Sequence, residues 1–251
     1  WDGRGAAARL LDGGALLAAG LFLAAPLSAV ALRGASGLAA LGPEVWAAAA
    51  RSLGVALVST ALTLAFAAPI AALAAAGRGA GRPRLAALAE TVGLAPLAAS
   101  PFVVGIALFV TLRPLANPAD LALPLTALVN AASATPFALR VLAPAIASAH
   151  AARGRLADSL GLRGTTRLRV LYWPVVRGPL GFAAGLAAAL SAGDLGVIAL
   201  FSAPDRPTLP LLMHLLAGSR NVDAAYGAAF VLVALSLGLF WSFDRAGRAA
   251  A

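Results

Sequence analysis

The sequence predicts an all-α membrane protein with six transmembrane helices. The chain has 251 residues, of which 61% are hydrophobic and only 12% are charged, whereas about a quarter of the residues in an ordinary soluble domain are charged. Several apolar runs exceed about 18 residues, the length at which a helix can cross a bilayer. A soluble fold of this size has too little interior to bury so many apolar runs. We therefore expect a bundle of helices surrounded by membrane lipid.

The six predicted spans are apolar runs separated by polar or arginine-containing turns. They cover residues 11–31, 46–76, 85–112, 121–149, 179–201 and 224–243. The second, third and fourth runs exceed about 25 residues, so we expect some of them to end in helix that projects beyond the bilayer. Prolines inside the runs are compatible with membrane helices, which tolerate them at ends and kinks.

The arginines indicate how the spans are oriented. Thirteen of the nineteen arginines fall in the N-terminal tail, the turn 77–84, the loop 150–177 and the C-terminal tail, and five fall in the opposite set of connections. By the positive-inside rule both termini are cytoplasmic, which agrees with an even number of spans. The net charge of +9 is explained by this bias, and no nucleic-acid partner is expected.

Several kinds of chemistry are excluded by residue types that the sequence lacks. The absence of cysteine excludes disulfides and thiolate metal sites. The absence of lysine excludes an ATP-binding loop of the Walker type. The two histidines, His150 and His214, fall on opposite sides of the membrane in the predicted topology and cannot share a metal. We predict no catalytic residue, no metal site and no cofactor bound by this chain.

Two short patterns are typical of intramembrane proteases. The sequence GASG at 34–37 resembles the serine motif of one class, but no histidine is placed to activate Ser36. The sequence SAGD at 191–194 resembles the motif of an aspartyl class, whose chemistry needs a second carboxylate to share a proton with Asp194. Glu90 lies near the predicted cytoplasmic edge, so an intramembrane enzyme is the less favoured alternative.

The longest cytoplasmic loop, around residues 155–174, carries the strongest functional signal. Gly161 allows a sharp turn, and Pro174 suits the first turn of the helix that returns to the membrane. Apolar anchors at near-helical spacing would let a short helix dock into a groove of another protein. Four leucines supply them: Leu156, Leu160, Leu168 and Leu171.

This loop resembles the cytoplasmic signature of binding-protein-dependent ABC importer permeases of type I. The signature reads E-A-A, three residues, G, nine residues, I-x-L-P. The corresponding positions here are Arg155, Leu156, Ala157, Gly161, Leu171, Trp173 and Pro174. Ala157, Gly161 and Pro174 match, Leu171 is a conservative replacement, and the other three depart from the consensus. The resemblance implies that an ATPase contacts Leu156, Ala157, Asp158, Leu160 and Gly161.

Four further stretches, 134–146, 155–164, 190–202 and 206–233, resemble permeases of bacterial thiamine transporters, in particular their C-terminal six-span half. The chain begins with Trp1 rather than methionine, so we expect a piece of a longer protein. On this resemblance, residues 1–45 hold a tail, the first span and a periplasmic loop. Residues 46–243 form the transmembrane type-1 domain with the coupling loop 150–177, and residues 244–251 form a cytoplasmic tail.

The resemblance implies a subunit of an ATP-driven importer in the bacterial inner membrane. Its partners would be a cytoplasmic ATPase dimer, which binds the ATP, a periplasmic substrate-binding protein, and a second permease half, either fused or a second copy. The substrate would be thiamine or its phosphates. Ferric-iron permeases share the architecture, so iron or another small solute is the alternative substrate.

Two charged residues fall well inside predicted spans and away from the span ends, where charge is costly and often serves a function. Asp194 could face a cationic substrate on the translocation path, pair with Arg140, or cap a broken helix near Gly193 and Gly196. Arg140 could also line the path or be structural. The apolar segment 207–218 is too short to span a bilayer and is expected at the periplasmic face.

Overall fold

In the computed structural model the structure describes residues 5–115, 117, 120–162, 164–201, 206–219 and 221–249. Within these ranges the regular secondary structure is entirely helical, which confirms the predicted all-α class. The α-helices are α1 (Ala6–Gly37), α2 (Pro43–Gly79), α3 (Pro83–Leu94), α4 (Pro101–Leu112), α5 (Ala122–Ser159), α6 (Gly164–Arg167), α7 (Trp173–Ala192), α8 (Ile198–Phe201), α9 (Leu209–Gly218) and α10 (Val222–Ala249).

Five of these helices, α1, α2, α5, α7 and α10, are long and apolar enough to cross a membrane. The predicted third span is not one straight helix. It consists of α3 and α4, which meet at an angle of 86°, and it completes a set of six if the pair counts as one span. Pro101 begins α4 and has no N–H with which to continue the preceding helix, so the chain turns between the two.

The largest differences between predicted and observed boundaries concern two spans. Helix α5 has 38 residues, about 57 Å at about 1.5 Å per residue, which is much longer than the roughly 30 Å hydrocarbon core. It continues ten residues beyond the predicted end at residue 149. Helix α7 begins at Trp173 rather than at residue 179 and ends at Ala192. It ends before Phe201 because Gly193 and Gly196 weaken the helix there.

The helices pack closely because glycines remove side chains at their crossings. Helix α5 lies against α2 and α7, and α7 in turn lies against α10. At the α7–α10 crossing, a Cβ placed on Gly185 would lie 2.8 Å from the backbone oxygen of Phe240, and one on Gly181 would lie 2.6 Å from that of Phe243. Small residues at such positions let membrane helices approach backbone to backbone.

Helix α1 is attached to the bundle near its C-terminal end. Gly34 and Gly37 are buried against α10. Phe230 and Gly227 of that helix leave no room for a larger residue at either position. The most apolar window of α1 has no buried residue. The first span therefore lies at the edge of the bundle, with most of its length uncovered by the described residues.

The short helix α9 is fastened to the N-terminal part of α2. Arg51 Nε donates a hydrogen bond to the carbonyl oxygen of Pro207 at 2.9 Å, and the backbone N–H of Leu209 donates to the Ser52 hydroxyl at 2.9 Å. The first turn of α9 is buried: Leu209 packs into a cluster with Val45, Ala48, Leu212 and Ala228. The apolar segment 207–218 is thus part of the packed bundle, at the end opposite the α5–α7 loop.

Candidate functional site

The α5–α7 loop begins with a turn that glycine makes possible. Helix α5 continues unbroken through Leu156 and Ala157 to Ser159, so these residues do not form a separate short helix as the sequence suggested. Gly161 then takes a left-handed conformation with φ of 63°. The N–H of Leu162 donates to the carbonyl oxygen of Ala157 at 2.9 Å, the bond that defines a Schellman turn. Alanine-rich, arginine-rich sequence favours helix, and the glycine ends it.

The second half of the loop is short and tightly wound. Gly164, with φ of 56°, starts the single turn α6, which is followed by a π-helical turn over Leu168–Tyr172. Helix α7 then begins at Trp173 with Pro174 in its first turn, where a missing N–H costs no helical hydrogen bond. Single π turns occur frequently at functional sites.

The end of α5 presents an exposed leucine pair, Leu156 and Leu160, which are 51% and 61% exposed. Residues four apart lie on one face of a helix, so the two side chains form one apolar patch. Ala157 points inward and is fully buried. The side chains of four other predicted contact residues lie outside the described part of the chain: Arg155, Asp158, Leu168 and Leu171.

Beneath the loop lies a polar group that the sequence analysis did not single out, here called the Tyr172 cluster (His150, Arg167 and Tyr172). The Tyr172 hydroxyl lies 3.0 Å from His150 Nδ1 and accepts hydrogen bonds from Arg167 Nη2 at 3.2 Å and Nε at 3.3 Å. The His150 and Tyr172 rings are stacked, with centroids 6.2 Å apart. His150 lies 22 positions and Arg167 five positions from Tyr172 in the sequence, and these separations match no simple sequence pattern.

At the opposite end of the bundle, Asp194 lies two residues beyond the end of α7 rather than inside a helix. Its Oδ2 accepts a hydrogen bond from the Val197 N–H at 3.3 Å, which satisfies a backbone donor just before α8. Asp194 borders a cavity of about 180 Å³, the Asp194 cavity, whose other polar lining residues are Asn130, Ser133 and Ser191. Asn130 Nδ2 donates to the Ser191 hydroxyl at 3.1 Å. The cavity therefore offers a carboxylate, an amide and two hydroxyls.

Arg140 is not brought to this cavity. It lies on an exposed face of α5, ten residues from Asn130, which is about 15 Å along a helix. The capping role that the sequence left open for Asp194 is the one its hydrogen bond supports. Arg140 stays a predicted path residue without a partner in the Asp194 cavity.

The two protease patterns lack the groups that their chemistry needs. The Ser36 hydroxyl donates to the carbonyl oxygen of Arg33 in its own helix at 2.9 Å. The Asp194 cavity contains no second carboxylate among its described lining residues. Across the described ranges, no three His, Asp or Glu residues come together as a metal site would require.

Helices long and apolar enough to span a membrane, joined by a basic loop that begins with a glycine turn, define a multi-pass helical membrane protein. The chain is similar to "Thiamine transport system permease protein ThiP" of Brucella abortus (strain 2308), with 39% identity over 234 residues, which is 90% of this chain and 42% of the relative. The predicted resemblance to thiamine permeases is confirmed.

Two further relatives carry the same name. The protein of Haemophilus influenzae is 38% identical over 115 residues, 45% of this chain and 21% of the relative. That of Escherichia coli (strain K12) is 38% identical over 117 residues, 46% of this chain and 22% of the relative. The chain spans less than half the length of the curated relatives it matches. No protein-family model matches it.

Proposed function

We propose that the chain is a transmembrane subunit of an ATP-driven importer for thiamine or its phosphates. The observation that carries this proposal is the 39% identity over 90% of the chain to a protein named a thiamine transport permease. The chain covers 42% of that relative, so we further propose that it corresponds to one half of a two-part permease, its C-terminal half, and that a second half completes the path.

Besides this second half, the proposed machine has two other parts. A cytoplasmic ATPase dimer binds and hydrolyses ATP, and the chain itself binds no nucleotide. A periplasmic substrate-binding protein delivers thiamine to the opposite end of the bundle. The whole assembly lies in the bacterial inner membrane with both termini of this chain in the cytoplasm, because most of its arginines lie at that end.

The exposed leucine pair supports docking of the ATPase on the α5–α7 loop. Two large apolar side chains, 51% and 61% exposed, project from the end of a helix that extends well beyond the bilayer thickness. An apolar helix face of this kind fits a groove on a partner protein. Closure of the ATPase dimer on ATP would move the docked loop, tilt α5 and α7, and open the path toward the binding protein.

The Asp194 cavity is the part of the path we propose for substrate contact. Thiamine is a cation, and the cavity places a carboxylate near the amide of Asn130 and the hydroxyls of Ser133 and Ser191. Its volume of about 180 Å³ would hold part of the substrate, with the remainder contacting the second half of the permease. Arg140, on an exposed face of α5, would face that second half.

Reconstitution of the importer in vesicles tests both parts of the proposal. We expect accumulation of radiolabelled thiamine that depends on ATP, the binding protein and the ATPase. Leu160→Ala should reduce copurification of the ATPase, whereas Leu237→Ala should not, since Leu237 is equally exposed at 64% but lies on α10 away from the loop. Accumulation of Fe³⁺ in place of thiamine would contradict the substrate, and unchanged ATPase binding by Leu160→Ala would contradict the docking surface.

A further inference from the structure

We propose that Tyr172 is a positioning residue that fastens the α5–α7 loop to the membrane-spanning helices, so that movement of the loop is passed on to them. The inference rests on the proposed function, because it presupposes an ATPase docked on the loop. It adds a mechanical role for a side chain that does not face that partner: Tyr172 is partly buried beneath the loop.

One hydroxyl group joins residues from separate segments. The Tyr172 oxygen lies 3.0 Å from His150 Nδ1 on α5 and accepts two N–H groups of Arg167 on α6. Tyr172 itself ends the π turn and immediately precedes α7. A donor that carries a full charge gives a stronger hydrogen bond than a neutral one. The cluster therefore ties α5, α6 and the start of α7 at a single point.

The end of α2 contacts the same point. A Cβ added to Gly79 would lie 2.8 Å from His150 Nε2, so His150 occupies the space that any larger residue at the end of α2 would need. Gly154, one turn beyond His150 on α5, also borders the cluster, but a Cβ added there would lie 3.7 Å from Arg167 Nη2, an ordinary van der Waals contact. Glycine at position 79 is therefore the one that admits His150 beside the end of α2.

The loop needs this side-chain connection because its backbone has little regular structure to hold it in place. Helix α6 has only four residues, too few to be stable alone, and it is separated from α5 by a turn in which Gly161 and Gly164 both have positive φ. Glycine loses the most conformational freedom on folding, so this turn is a natural point of bending. Without the Tyr172 hydroxyl, a displacement of the loop would be absorbed by bending of the turn instead of moving α5.

The test uses the complete importer with its ATPase and binding protein. Tyr172→Phe removes only the hydroxyl and keeps the ring that stacks on His150. The matched control is Tyr226→Phe, the only other tyrosine in the chain. The Tyr226 ring lies 5.4 Å from the Arg33 guanidinium at the far end of the bundle, and its hydroxyl makes no hydrogen bond to a described residue.

We expect Tyr172→Phe to leave ATPase association and ATP hydrolysis within about twofold of the parent. Thiamine moved per ATP hydrolysed should fall roughly two- to tenfold, the range that loss of one hydrogen-bonding group produces. Gly79→Ala should lower the same ratio by displacing His150. Gly54→Ala, on the same helix with open space around its Cβ, should not, and neither should Tyr226→Phe.

Two results would overturn the proposal. One is an unchanged transport ratio in Tyr172→Phe. The other is loss of ATPase association in parallel with transport, which would make Tyr172 part of the docking surface rather than a connection behind it. Failure of the proposed function is a separate outcome, since the parent protein would then neither bind the ATPase nor accumulate thiamine.

Discussion

The Ser52 hydroxyl accepts a hydrogen bond from the backbone N–H of Leu209, at 2.9 Å and across 157 positions of sequence. Both residues are buried, with Ser52 2% and Leu209 0% exposed. The hydroxyl thus satisfies a backbone donor at the first turn of α9, a turn whose N–H groups have no partner within the helix. This bond, with that of Arg51 to Pro207, fixes the short apolar helix α9 to α2.

Removing the Ser52 hydroxyl should loosen α9. Ser52→Ala leaves a buried N–H without a partner, which costs about 1–3 kcal/mol. We expect a lower unfolding midpoint in detergent and faster amide hydrogen exchange over residues 209–212. The control is Ser28→Ala, because the Ser28 hydroxyl is exposed and bonds only to Ala25 in its own helix. Unchanged exchange at 209–212 would show that packing alone holds α9.

Gly185 should be intolerant of even one added carbon. In Gly185→Ala the new Cβ would lie 2.8 Å from the Phe240 backbone oxygen, so α7 and α10 must separate, at a cost of about 1–3 kcal/mol for an overpacked site. Gly238→Ala on the facing helix has open space and should stabilise by up to about 1 kcal/mol through higher helix propensity. Thermal unfolding of the purified proteins measures both, and equal midpoints would contradict the close crossing.

Gly161 and Gly81 form a natural pair for testing the loop. Both have positive φ, 63° for Gly161 and 66° for Gly81. Both also lie in Schellman-type turns at the same end of the bundle. In the turn at Gly81, the Arg82 N–H donates to the Gly77 carbonyl oxygen at 2.8 Å. Alanine at either position should cost about 1–2 kcal/mol in the left-handed region. We expect ATPase copurification to fall for Gly161→Ala alone. An equal fall for Gly81→Ala would mean that general instability is responsible.

Substitutions of Asp194 separate its capping bond from its charge. Asn can still accept the Val197 N–H, so Asp194→Asn should keep the unfolding midpoint, whereas Asp194→Ala should lower it by about 0.5–2 kcal/mol. If the charge contacts thiamine, Asp194→Asn should lower uptake by about tenfold or more, since interactions with charged groups are worth about 1.5–3 kcal/mol. Parent-level uptake by Asp194→Asn would restrict this residue to capping. Uptake into vesicles and thermal unfolding supply the two readouts.

The helices were predictable because length and hydropathy are local properties of the chain. Each predicted span overlaps a helix or, for the third, a helix pair, although the fifth ran past the end of α7 at Ala192. The bend between α3 and α4 was not predicted, because membrane helices often accommodate proline without breaking and the sequence does not reveal which outcome occurs. The start of α7 at Trp173 agrees with the prediction that Pro174 suits a first helical turn, although the predicted span began only at residue 179.

The loop was partly predictable for the same reason. Gly161 and the leucines stand at fixed spacing in one segment, and the structure places the glycine at a turn and two of the leucines on an exposed face. The Tyr172 cluster depends on contacts between α5, α6 and α7, and only the packed bundle brings these together. The sequence alone does not indicate this contact of His150, because its partner Tyr172 is 22 residues away.

The one-sided attachment of α1 has a practical consequence. Its glycine contacts with α10 are confined to the last turns, around Gly34 and Gly37, and most of the helix before them is uncovered. Because α1 is held only near its C-terminal end, movement of the rest of the helix is passed only weakly to its neighbours. A fluorescent label attached to the uncovered part of α1 would therefore exert little leverage on the packed helices.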